Sequence, residues 1–146
     1  MSWELKKFAD LTNEELYDFL RLRVDVFVVE QNCPYPEIDG KDPHSLHLMY
    51  KENGFIVAYA RILPPGLSYD EASIGRIIVA KTHRASGLGQ KLLDQAIKAS
   101  LAEYNQPIKI GAQAYLEKYY NAAGFVTVSE VYLEDDIPHI DMLLSL

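Results

Sequence analysis

The apolar run Ile77-Ile78-Val79 gives way, across the turn Ala80 to Ser86, to a helix that opens on Gly87 and Gly89. Behind these glycines Leu88, Leu92, Leu93, Ala96, Ile97 and Leu101 recur at helical spacing, which predicts a helix from about Gly87 to Glu103 with one buried stripe. The strand before it, Ala72 to Ala80, is expected to be buried on both faces, as in a sheet covered by helices. A chain built around such a unit must stack sheet and helix in layers.

The flanking elements agree. Ser2 to Phe8 is expected as a first strand. Thr12-Asn13-Glu14-Glu15 is a capping box, and Leu16, Phe19, Leu20, Val24 and Phe27 behind it predict a helix to about Val28. Glu30 to His44, rich in proline and acid, is expected as an irregular loop with one short helical turn. Asn53-Gly54 joins two expected strands, Leu46 to Lys51 and Phe55 to Leu63, in a two-residue hairpin. Pro107 to Gln113 is a further strand and Tyr115 to Ala123 a helix, with Gly124 at the position of a helix-terminating glycine. Phe125 to Leu133 and His139 to Leu144 are expected to close the fold as a hairpin around Glu134-Asp135-Asp136. The expected order is β-α-β-β-β-α-β-α-β-β in one domain, residues 1–146.

Composition narrows the function classes. A single cysteine, Cys33, excludes an internal disulfide framework and a cysteine-rich zinc site, and suits a reducing cytoplasm. The start, Met1 to Lys7, lacks the apolar run of a signal peptide, and no apolar run approaches the roughly 18 residues of a membrane span. A net charge of −7 opposes binding to nucleic acid and mildly favours cationic partners such as amines, although acidic composition also serves solubility.

The turn before the long helix carries the chemistry. Free N–H groups at a helix start, next to the positive end of the helix dipole, form an anion site. Glycine lets backbone approach a phosphate, and Arg84 can add a bidentate contact. Gly87 and Gly89 are followed by Gln90-Lys91-Leu92, so the nucleotide P-loop fails, and Leu92 stands where a dinucleotide fingerprint needs glycine or alanine. From the glycines alone, a plain tight turn before a core helix stays open.

Arg84-Ala85-Ser86-Gly87-Leu88-Gly89 after Ile77-Ile78-Val79 resembles the R/Q-x-x-G-x-G/A signature of the GNAT superfamily of N-acetyltransferases. Tyr119-Tyr120-Asn121-Ala122-Ala123-Gly124-Phe125 resembles that family's aromatic-Tyr-x-x-x-Gly-Phe segment. Val26 to Tyr35, Ala58 to Leu63, Ile74-Gly75-Arg76, Gly111 to Ala114 and Ile137 to Ile140 are similar to segments of its ElaA-like branch. The resemblance implies an α/β GNAT fold, a mixed and mostly antiparallel sheet of six or seven strands flanked by helices. It implies acetyl transfer from acetyl-CoA to a primary amine by direct attack in a ternary complex, without a metal. A non-catalytic acyl-CoA sensor on the same fold is the alternative. A homodimer is compatible with the family.

The resemblance also implies site residues. The diphosphate of coenzyme A is expected on Arg84, Ala85, Ser86, Gly87, Leu88 and Gly89. The pantetheine arm is expected along Ile77, Ile78 and Val79, where a bulge splays two strands and an N–H near Val79 polarises the thioester carbonyl. Gln113 stands where many relatives carry a pantetheine-contacting asparagine. Tyr120 matches the general acid that contacts the cofactor and protonates the departing thiolate. Glu30, His47 and His139 are the candidate bases; Glu30 is alternatively a partner for Arg61 or Arg76, and the histidines alternatively structural. Asp39, Asp42, His44 and His47 lack a recognised metal-ligand spacing and are expected in a solvated acidic loop, which could line a site for a cationic amine.

Overall fold

The computed structural model describes residues 2–146. Strand β1 (Ser2–Lys7) leads into helix α1 (Asn13–Arg23), which starts at Thr12 with both bonds of the capping box in place. Glu15, the acid of that box, is buried and also accepts bonds from Lys6 (3.0 Å) and Lys51 (2.6 Å), so the helix start is tied to two strands. The α-helical geometry ends at Arg23, earlier than the apolar spacing predicts, and Val24–Glu30 continues as a wider π-helical turn. A one-residue widening of a turn leaves the apolar stripe nearly unchanged, so periodicity does not register it.

Strands β2 (Leu46–Glu52) and β3 (Phe55–Leu63) form the expected hairpin, with Asn53 and Gly54 both at positive φ, and β4 (Ser73–Val79) follows. These strands form an antiparallel sheet in the order β1-β2-β3-β4. Helix α2 (Leu88–Tyr104) covers one face, burying Leu92, Leu93 and Ala96 against Leu48, Ala58 and Ile74. Helix α1 covers the other, with Phe19 packed on Met49, Ile56, Tyr59 and Ile78. The strand buried on both faces is therefore β3, not β4, because Ile77 and Val79 stand half-buried at the edge of a cleft.

A second antiparallel sheet is built around β8 (Ile137–Leu144), which pairs with β5 (Ile108–Gln113), β6 (Val126–Thr127) and β7 (Tyr132–Glu134). The expected strand Phe125 to Leu133 is divided into β6 and β7, which brings the count among the described residues to eight. The turn into β8 is Asp135-Asp136, both at positive φ. Helix α3 (Glu117–Ala122) follows a short 3-10 turn, and Gly124 at φ +105° ends it as expected.

The sheets meet at one parallel bridge between Ala72 and Ile108, where the Lys109 N–H donates to the Ala72 carbonyl (2.9 Å). Beyond that point β4 pairs only with β3 among the described residues, so β4 and β5 diverge. The divergence is sharpened by a bulge: Arg76 and Ile77 oppose Ala60 alone, with Arg76 at φ +51°.

Candidate active site

The divergence of β4 and β5 opens a cleft of about 920 Å³. Ile77, Ile78, Val79 and Arg84 line it from β4 and the turn, and Gln113 from β5. Tyr120 lines it from α3, Glu30 from the π turn and His139 from β8. The turn residues Ala85, Ser86, Gly87, Leu88 and Gly89 lie outside that lining, at the start of α2. Leu88 belongs to the core by its side chain, so the turn can offer only its amide.

That turn suits an anion. Ala85 and Gly87 both take positive φ, a conformation that curls successive N–H groups inward. Gly87 caps α2 with no side-chain bond, and the Ser86 hydroxyl donates away from the helix, to the His83 carbonyl (2.6 Å). The amides of the first helical turn are thus left without intrahelical partners. Arg84 stands beside them, donating from Nε to the Val79 carbonyl (3.1 Å) and from both terminal nitrogens to Glu30 (2.8 and 3.1 Å). This pair, rather than one with Arg61 or Arg76, engages Glu30, and its bonds hold the carboxyl below the usual range.

Tyr120 is buried, with its ring edge-on to Tyr119 and to Phe125. Burial pushes its hydroxyl well above the ordinary phenol range, so it stays protonated at neutral pH. Tyr119 is otherwise occupied: its hydroxyl donates to the Gly89 carbonyl (2.9 Å), fixing α3 to the start of α2.

His47 is not in the cleft. It is fully buried, and its ring stacks on Phe19 at 5.0 Å. Its Nε2–H donates to the Asp42 carbonyl (2.9 Å), and Nδ1 then accepts from the Tyr59 hydroxyl (2.6 Å). Burial pushes its pKa down. With both nitrogens bonded inside the core it is a structural histidine, and the expectation that it serves as a base is corrected.

The acidic loop is also not the solvated segment expected from its composition. Glu37 and Asp42 are buried, and the loop's acids close a ring of alternating charges with three arginines from α1, β3 and β4. Arg23 bonds Glu37 (2.6 Å) and Asp42 (2.7 Å). Arg76 bonds Glu37 (2.7 Å) and Asp39 (3.3 Å), and Arg61 bonds Asp39 (2.8 Å) and Asp42 (3.1 Å). The ring is neutral overall, so these carboxylates are not free to hold a cationic amine. It forms one wall of the cleft through Asp39, Arg61 and Arg76, with the Arg76 guanidinium over Tyr35 and Phe27. Arg23 had a sequence signal: it falls four residues after Phe19, inside the apolar stripe, where a charge must find buried partners. Its partners Glu37 and Asp42 had none. Among the described residues, no group of three or more His, Cys, Asp or Glu is arranged to hold a metal. No helix among them is long and apolar enough to cross a membrane.

Two antiparallel sheets splayed at a bulged strand, with an amide-rich turn leading from that strand into the main helix, define an acyl-CoA N-acyltransferase fold. The chain belongs to the GNAT acetyltransferase family, whose acetyltransferase (GNAT) domain matches residues 9–146. It is similar to Protein ElaA of Escherichia coli (strain K12), 41% identical over 97% of this chain and 95% of that one. The crystal structure of Escherichia coli ElaA superposes with a TM-score of 0.93 at 40% identity, covering 99% of this chain and 100% of that one. An acyl-CoA N-acyltransferase from Pseudomonas aeruginosa superposes with a TM-score of 0.94 at 45% identity, over 99% of this chain and 100% of that one.

Proposed function

We propose that the protein transfers an acetyl group from acetyl-CoA to a primary amine by direct attack in a ternary complex, in the cytoplasm. The observation that carries this is that Tyr120 and the free edge of β4 line one cleft, which Arg84 borders where the chain leaves β4 for the turn that starts α2. The thioester supplies an activated acyl carbon and a sulfur leaving group.

The amides from Ala85 to Gly89, together with Arg84, hold the donor's diphosphate at the mouth of the cleft. Ile77, Ile78 and Val79 guide the pantetheine arm along the unpaired edge of β4, and Gln113 contacts it from β5. A main-chain N–H near Val79 faces the carbonyl oxygen and stabilises the charge that develops during attack. Tyr120, held protonated by burial, gives its proton to the departing sulfur.

A thiol-release assay with acetyl-CoA over a panel of primary amines tests this. The expected result is release that depends on the amine. Binding of coenzyme A in calorimetry with no turnover on any amine would instead favour a sensor that binds acyl-CoA without chemistry.

A further inference from the structure

The cleft holds one imidazole arranged to take a proton. His139 lines it from β8, directly across the β5–β8 register from Gln113. Its Nδ1 lies 2.7 Å from the Ile137 carbonyl, which can only accept, so Nδ1 carries the ring proton. In the neutral ring the lone pair then sits on Nε2. That atom faces the Glu134 carboxylate at 3.5 Å, and a carboxylate has no proton to donate to it.

The surroundings hold the ring in place. Tyr132 of β7 stacks on the imidazole at 6.1 Å and 25°, and is itself fixed by donating to Asp141 (2.6 Å). The charged or titratable groups around the ring are Glu134 and Tyr132 from β7, Asp135 from the turn and Asp141 from its own strand; β5 presents the neutral Gln113. Two other acceptors in the cleft are engaged elsewhere. Glu30 is paired with Arg84, and Asp39 with Arg61 and Arg76.

Resting on the acyl-transfer reading above, we propose that Nε2 of His139 is the base that deprotonates the acceptor ammonium, with Glu134 as a positioning residue that faces the imidazolium formed. The ammonium gives one proton to Nε2, and the free amine nitrogen attacks the acyl carbon. The carbon–sulfur bond breaks as Tyr120 passes its proton to sulfur, the phenolate recovers a proton from the new amide nitrogen, and the imidazolium returns its proton to water.

The test compares wild type with His139→Asn and His139→Gln in amine-dependent thiol release across pH. Asparagine keeps a donor toward the Ile137 carbonyl and deletes the base; glutamine is a second replacement should the first fail to fold. With a protonated alkylamine, kcat/KM is expected to fall at least about tenfold at neutral pH, losing the acid limb of the wild-type profile, at unchanged affinity for coenzyme A. An acyl hydrazide, whose amino group is unprotonated at neutral pH, should restore most of the rate, which a purely structural loss would not allow. Turnover by wild type with an unchanged variant profile, or an equal loss with the acyl hydrazide, overturns the assignment of His139 alone. Absence of amine-dependent release from wild type overturns the acyl-transfer reading and this proposal together.

Discussion

Arg84 and Glu30 face each other through two bonds, 2.8 and 3.1 Å long, while the remaining Nε–H of Arg84 is held by the Val79 carbonyl. The arginine expected to meet a diphosphate is thus already paired with a carboxylate. An anion arriving at the turn must compete with Glu30. Glu30→Gln is expected to tighten coenzyme A binding by a few-fold, about the contribution of one exposed ion pair. Arg84→Ala should weaken it about tenfold through loss of a charge-assisted contact. Calorimetry at low salt measures both, and equal affinity in all three proteins would mean that Arg84 does not touch the ligand.

Tyr120→Phe keeps the ring and its edge-on packing against Tyr119 and Phe125 while deleting the proton. The expected outcome is a loss of about a hundredfold in kcat with coenzyme A affinity unchanged. Steady-state kinetics beside calorimetry separates the two, and an undiminished kcat removes Tyr120 from the chemistry.

The charge ring makes a stability prediction. Arg23 is fully buried between Glu37 and Asp42, so Arg23→Met leaves buried carboxylates without their cation. Urea unfolding should show a loss of about 3–5 kcal/mol. Acid should act on the same ring. Burial pushes the Asp39 carboxyl up, but its bonds from Arg61 outweigh burial and hold it at about 2. Glu15, likewise held at about 2 against burial by Lys51, Thr12 and Lys6, adds to this. Both folded values lie below the ordinary ones of 3.8 and 4.5, so the stabilisation is fully present above about pH 5 and is lost as pH falls toward 2. Urea midpoints against pH should decline over that window, and Asp39→Asn with Glu15→Gln should flatten the decline.

Gly124 ends α3 at φ +105°, and a Cβ there would stand 2.9 Å from Leu144 Cδ1. Gly124→Ala should lower stability by about 1–3 kcal/mol, from the backbone conformation and the displaced leucine together. Thermal unfolding checks this, and an unchanged midpoint would show that the α3–β6 connection relaxes freely.

Much of the fold was legible because its signals are local. The capping box at Thr12, the Asn53-Gly54 turn, the stripe of α2 and the terminating Gly124 each act within a few residues of where they are read. The misses are non-local. The π turn at Val24–Glu30 leaves the apolar spacing almost intact, and the division of Phe125 to Leu133 follows from how β8 is shared between β6 and β7. In the site, Arg84, Gln113, Tyr120 and the β4 segment were named from motifs and do line one cleft, whereas His47, read from its strand position alone, is sealed in the core.

By itself the sequence determined the order of elements, the glycine turn that opens α2 and the tyrosine on α3, since backbone geometry and periodicity are properties of neighbouring residues. Only the tertiary structure decided which charges are free. The loop acids look solvated in sequence, yet three arginines from separate elements neutralise them, and the candidate base Glu30 is paired with an arginine 54 residues away. Protonation and charge depend on what lies within a few ångströms in space, and chain order does not specify those neighbours.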